Sequence, residues 1–173
     1  MISEAVQEAF NKQINAETYS AYLYWSMAAY FEDIGLKGHA SWMRCQAQEE
    51  MLHAAKFFDY IVERDGRVQL TAIEGPPVEW DSALAVFEAA YAHEQKVTGL
   101  INDLVRLAGQ ESDPASTVFL EWFVTEQVEE EASAKEIADQ LKLIGDNGYG
   151  LLMIDRVLGQ RVFTPPPAKS EGA

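Results

Sequence analysis

Glu50 and His53 stand three residues apart, as Glu-x-x-His. On a helix such residues are surface neighbours, so one carboxylate and one imidazole can grip the same ion. Three more acids occupy comparable places. Glu17 falls in the middle of the row Phe10, Ile14, Ala21, Tyr24, Ala28 and Phe31, whose members recur at helical spacing. Glu50 interrupts the row Leu36, Ala40, Met43, Ala47, Ala54, Phe57 and Ile61. Glu94 interrupts Leu84, Phe87, Tyr91, Thr98, Ile101, Val105 and Ala108, and Glu130, with Gln127 beside it, interrupts Leu120, Phe123, Ala134, Ile137, Leu141 and Ile144. Alternating spacings of four and three put each row on one inward helix face. A lone buried carboxylate is costly unless it is paired or binds a metal. One such glutamate is more often a boundary residue than a ligand. Four of them together with His53 point to a multivalent cation at the centre. Carboxylates with a single imidazole suit iron or manganese.

Four long helices must position these groups. Ser3 is the expected N-cap of the first, which runs to about Glu32. Asp33-Ile34-Gly35 forms a short turn, and the second helix runs from about Leu36 to Arg64. Residues 65–81 contain Gly66, Gly75, Pro76 and Pro77 and carry no sustained helical pattern. Asp81 is expected to cap a third helix, Ser82 to Ala108, which Gly109 ends. Asp113 caps the fourth with Pro114 at its first position, and that helix runs to about Ile144. Gly145, Asn147 and Gly148 break the chain before a short fifth helix, roughly Tyr149 to Gln160. Short connections make consecutive helices antiparallel.

The long segment invites a geometric test. A helix of about 28 residues is roughly 42 Å long, and 17 extended residues reach at most about 56–61 Å. Residues 65–81 can therefore run back along the whole bundle. The expected fold is all-α: a four-helix bundle with a long crossover between helices two and three and a short fifth helix. Glu17 lies about 24 Å before the first turn and Glu50 about 21 Å after it, so the acids meet at one level. They lie near mid-helix, so their heights fit an up-down bundle equally well, and loop length alone favours the crossover.

The 173 residues fit one domain with a sizeable core. Residues 1–163 are expected to form it, with 164–173 as a proline-containing flexible tail. The formal net charge of −15 disfavours nucleic acid and anionic membrane and suits cations. No stretch approaches the roughly 20 apolar residues of a membrane span, and the start Met1-Ile2-Ser3-Glu4-Ala5 does not read as a secretory signal. Cys45 is the single cysteine, so no intrachain disulfide forms. It reads as a packed thiol in a reducing, cytoplasmic setting. Met43 and Met51 read as packing residues, and haem is not expected. His39 and His93 read as surface or interface residues. Among the successive acids, Glu130 is on the seam, Glu129 on an intermediate face and Glu131 outside.

Several longer stretches carry a family likeness. Gln13-Ile14-Asn15-Ala16-Glu17, Ser20-Ala21-Tyr22-Leu23-Tyr24, Gly35-Leu36-Lys37-Gly38, Gln48-Glu49-Glu50 with His53, and Glu126-Gln127-Val128-Glu129-Glu130-Glu131 make the chain resemble the non-haem ferritins of bacteria and archaea over about residues 3–163. The resemblance implies an iron-storage protein with ferroxidase activity. Glu17, Glu50 and His53 would hold one iron. Glu50 would bridge to a second held by Glu94 and Glu130, with Gln127 close by. A third iron would use Glu49, Glu126, Glu129 and Glu130. Dioxygen or peroxide would be the oxidant, and a shell of 24 subunits would keep the ferric mineral. Tyr24, and with less reason Trp122, would supply an extra electron or support a ligand. Gln127-x-x-Glu130 stands where related di-iron proteins carry a second Glu-x-x-His, which leaves the second iron poorer in nitrogen. Two rivals remain at this point. One is a peroxide-reducing di-iron protein, disfavoured in its rubrerythrin form by the lack of a Cys-rich iron–sulfur tail. The other is a helical scaffold whose acids are relics or hold a structural ion.

Overall fold

The computed structural model describes residues 1–164. The tail expected from 164 lies outside the described residues apart from Thr164. Five helices follow in order: α1 (Glu4–Asp33), α2 (Lys37–Glu63), α3 (Ala83–Gln110), α4 (Pro114–Ile144) and α5 (Gly148–Leu158). Ser3 accepts a hydrogen bond from Val6 N and starts α1, and Asp113 accepts one from Ser116 N and starts α4 with Pro114 behind it. At α3 the cap is Ser82, which accepts from Ala85 N, and the expected Asp81 lies one position before it. Both side chains can cap; the extended backbone at Ser82, φ −166° and ψ 168°, decides between them. Gly35, at φ 81°, completes the tight turn between α1 and α2.

Two apolar clusters fill the bundle. One is built from Val6, Phe10 and Ile14 of α1, Ala54, Phe57 and Ile61 of α2, Val97, Ile101 and Leu104 of α3, and Leu120 and Phe123 of α4. The other takes Leu23 to Phe31 from α1, Ala40 to Ala47 from α2, Ala83 to Ala90 from α3 and Ile137 to Leu141 from α4. The order in which each helix visits them gives its direction. α1 and α4 start at the first cluster; α2 and α3 start at the second. α2 therefore ends at one end of the bundle and α3 begins at the other, and the connecting segment crosses the full length. This separates the crossover from an up-down bundle.

The crossover is laced to the outer face of α1. Arg67 N donates to Gln7 Oε1 at 2.7 Å, Gln69 N to Asn11 Oδ1 at 2.7 Å, and Asn15 Nδ2 to Ala72 O at 2.9 Å. Higher up, Ser26 Oγ donates to Pro77 O at 2.5 Å and Tyr30 meets Trp80 edge-on. These polar side chains satisfy backbone groups of a segment with no secondary structure of its own.

The seams of α1 and α2 are buried as the spacing predicts. On α3 the buried row is Val86, Ala90, Glu94, Val97, Ile101 and Leu104, whereas Leu84, Tyr91, Thr98 and Val105 are only half-buried. The buried stripe is rotated by about one position because α3 packs against α1 as well as α4. α5 packs on α2 and α4. At Gly38 an added Cβ would lie 1.6 Å from the Asp155 carbonyl oxygen, so only glycine admits α5 this close. Among the described residues no helix is long and apolar enough to cross a membrane.

Candidate metal centre

Between the two apolar clusters lies a polar layer. Glu17, Glu50, His53, Glu94, Gln127 and Glu130 are all buried there, joined by Gln13 and Gln46. Heptad-like rows on four helices deliver them to one level, each acid flanked above and below by apolar neighbours of its own row.

The ligand atoms of Glu17, Glu50 and His53 lie within 4.8 Å of one another, and so do those of His53, Glu126 and Glu130. His53 belongs to both groups, and its Nδ1 is 3.4 Å from Glu50 Oε2. Glu94 is buried in the same layer but belongs to neither group. Tyr24 donates its hydroxyl hydrogen to Glu94 Oε1, and Gln127 Nε2 donates to Glu94 Oε2 at 3.3 Å and Glu94 O at 3.2 Å. Glu49 is half-buried and Glu129 exposed, and neither enters a group.

Charge in this layer is poorly compensated by the protein alone. Gln13 donates to Glu17 Oε1 at 2.9 Å and Gln46 donates to Glu130. Glu17 Oε2 and Glu50 Oε1 are buried with no hydrogen-bond partner. Burial, and next the charge of Glu50, push the Glu17 carboxyl up to about 8. Burial and the charge of Glu94 push Glu130 up to about 8. Glu50 is raised well above the carboxylate range by burial and by Glu94 and Glu130. Glu94 is raised by burial, against the hydrogen bonds from Tyr24 and Gln127. Such a set of oxygens holds either protons or a cation. The hard oxygen-rich donors with one imidazole match a first-row divalent ion.

Gln13, Gln46 and Arg161 were not among the site residues expected from the sequence. Gln13 and Gln46 each stand four residues before a seam glutamate, the helical-neighbour spacing that could have flagged them. Five other residues depart from expectation. His39 is fully buried, with Nδ1 2.7 Å from Asp155 Oδ1 of α5, and its ring lies against Phe31 and Phe87. His93 is half-buried, with Nε2 2.8 Å from Ser20 Oγ; burial and then Lys96 push it down to about 4. Both histidines meet elements far away in the chain, which their local spacing cannot reveal. Glu131 is the half-buried acid, accepting from Thr98 Oγ1 at 2.5 Å, and Glu129 is the exposed one. α3 covers the Glu131 side of α4, which reverses the expected order. Met51 is exposed, whereas Met43 is packed in the core. Cys45 is buried, as expected. Trp122 is partly exposed, edge-on to His53, with the Lys56 ammonium 4.1 Å from its ring centre.

A crossover bundle of this topology with a buried carboxylate–imidazole layer defines the ferritin-like class. The ferritin-like domain family matches residues 7–144. A bacterial non-heme ferritin of Bacteroides fragilis (strain 638R) is 48% identical over 161 residues, covering 93% of this chain and 100% of that protein. One from Escherichia coli O6:H1 is 38% identical over 158 residues, covering 91% and 96%. Among solved structures, an Archaeoglobus fulgidus ferritin engineered into a closed form superposes with a TM-score of 0.94 at 58% identity, covering 95% of this chain and 100% of its own. The open-pore ferritin of the same archaeon gives 0.93 at 57% identity, covering 94% and 100%. The chain belongs to the non-haem ferritins of the bacterial and archaeal type.

Proposed function

We propose that Glu17, Glu50 and His53 hold one ferrous ion and that Glu50, Glu94 and Glu130 hold a second, with Gln127 orienting Glu94. The protein is an iron-storage ferritin with ferroxidase activity, and these residues are its oxidation centre. The observation that carries the assignment is the pair of partnerless buried oxygens, Glu17 Oε2 and Glu50 Oε1, on neighbouring helices. Their arrangement costs stability unless protons or a cation satisfy them, and a cation satisfies both at once.

The chemistry follows from two ions at one bridge. Each ferrous ion gives up one electron; two electrons and two protons convert dioxygen to hydrogen peroxide. With peroxide as oxidant, the same two electrons and two protons give two waters. The protein's part is to hold the ions adjacent, exclude bulk water with apolar clusters on both sides, and orient the ligands through Gln13, Gln46 and Tyr24. The second ion has only oxygen donors, which suits an ion that moves on. Tyr24, hydrogen-bonded to Glu94, is the ligand-supporting residue. A third iron would lie outside the first two near Glu126, Glu129, Glu130 and Glu49. A cavity of about 330 Å³ between α3 and α4, lined by Thr98, Gln127 and Glu131, adjoins Gln127. Ferric product is retained inside a shell of 24 subunits, and the protein works in the cytoplasm.

Ferrous iron added in air to the assembled protein tests this. The expected result is a fast rise in ferric absorbance followed by a soluble mineral core in particles of shell mass. Glu50→Ala should abolish the fast phase. An unchanged fast phase in that variant would overturn the site assignment.

A further inference from the structure

Arg161 follows α5 in sequence and reaches back onto α2. Its guanidinium donates to Gln46 Oε1 at 2.8 Å and to a carboxylate oxygen of Glu49. It lies over the Trp42 ring, 4.6 Å from the centroid, and its carbonyl oxygen is 3.6 Å from Cys45 Sγ. About three-quarters of the Arg161 and Glu49 side chains are covered, each retaining 26% exposure. This is a held guanidinium, with ion pair, amide and aromatic face fixed together.

What it holds is the edge of the metal layer. Gln46, gripped at its oxygen by Arg161, donates through its nitrogen to Glu130. Burial pushes the Glu49 carboxyl up, and Arg161 opposes that shift; His53 and Glu126 are weaker influences from the layer beside it. His53, Glu126 and Glu130 already converge as a ligand group, and Glu49 is the neighbouring carboxylate that does not join it.

We propose that Arg161 is a positioning residue that fills the cation place at Glu49, so that a metal ion binds on Glu49 only when this side chain withdraws. Resting on the di-iron reading, the inference adds a restriction to it. The inner two positions load freely, and the outer one is occupied by the protein's own positive charge. A divalent ion next to Glu49 would face that fixed charge across a partly dry contact, where repulsion is weakly screened. Arg161 also ties the segment after α5 to the metal layer, so the docking of that segment and the occupancy of the outer position are coupled.

Zinc alone, added to the assembled metal-free protein and located by anomalous diffraction, tests this. Wild type should show zinc on the Glu17–Glu50–His53 position and none ligated by Glu49. Arg161→Ala should gain an ion on Glu49 and Glu126, with at least a tenfold gain in affinity for that ion. Arg161→Lys, which keeps the charge, should resemble wild type in leaving Glu49 free of zinc. Arg161→Gln keeps an uncharged polar side chain, shorter than arginine, and decides the matter if the alanine variant does not fold; it too should gain the ion. Zinc ligated by Glu49 in wild type, or absent from Glu49 in both neutral variants, would overturn the inference while leaving the inner centre intact. An empty Glu17–Glu50–His53 position in every sample would overturn the di-iron reading and this inference together.

Discussion

The Tyr24 hydroxyl donates to Glu94, joining α1 to α3 within the metal layer. Glu94 is held from its other side by Gln127 of α4. One carboxylate thus carries the orientation supplied by two other helices, and it enters neither of the closely spaced ligand groups.

Tyr24→Phe keeps the buried ring but removes the donor. Glu94 then loses one of its two fixed contacts, and the second ion its orientation. The fast phase of ferrous oxidation should slow by about tenfold, equivalent to roughly 1.4 kcal/mol, while zinc on Glu17, Glu50 and His53 is retained. Stopped-flow absorbance and zinc titration on the same preparation separate the two effects.

Removing charge from the centre should stabilise the protein when no metal is present. Glu50 Oε1 has no hydrogen-bond partner and lies among other acids. Glu50→Gln keeps volume and removes that burden, so denaturant unfolding of the metal-free protein at pH 8 should show a gain of about 1–3 kcal/mol. Zinc should stabilise the variant less than wild type, because the proposed bridging ligand is gone. A less stable metal-free variant would mean that Glu50 is already compensated within the protein.

The same groups set a pH dependence. Glu17 and Glu130 sit at about 8 in the folded protein against an ordinary 4.5. Between those values the folded chain binds protons that the unfolded chain has released. Their contribution is therefore complete below about 4.5 and is lost as pH rises through about 8. The slope is at most about 1.4 kcal/mol per pH unit for each group. Urea midpoints of metal-free protein should fall from pH 5 to pH 8, and Glu17→Gln should flatten the decline. Constant or rising midpoints would contradict the burial of these acids.

α5 depends on a close approach that one methyl group blocks. Gly38→Ala puts a Cβ into the Asp155 carbonyl and pushes on the carboxylate that accepts from His39 N at 2.9 Å. A cost of about 1–3 kcal/mol is expected for such overpacking, with faster hydrogen exchange across residues 148–158. Unchanged exchange there would show that α5 can dock without this contact.

Much of this was legible in the sequence. Rows of apolar residues interrupted by Glu17, Glu50, Glu94 and Glu130 carry their own geometry, because helix periodicity alone decides which side chains share a face. The crossover could be argued from length, since 17 residues reach farther than the bundle is long. What escaped were contacts between segments that no local rule relates. His39 is buried because Asp155 arrives from α5, 116 residues later. Arg161 reaches Glu49 across 112 residues. The rotation of the α3 stripe depends on a second neighbour, α1, which a single helix cannot announce. Gln13 and Gln46 show their four-residue spacing to a seam glutamate in the sequence, but their burial depends on how the helices pack.

Glu17 and Glu130 are both poised to keep hydrogen ions at neutral pH. In the proposed centre, an arriving ferrous ion must evict them before it can settle. The centre is thus a cation exchanger in the sense of a weak-acid resin, and its filling responds to the ratio of ferrous to hydrogen-ion activity. Acidification should empty it even where iron is plentiful, with the helices still standing.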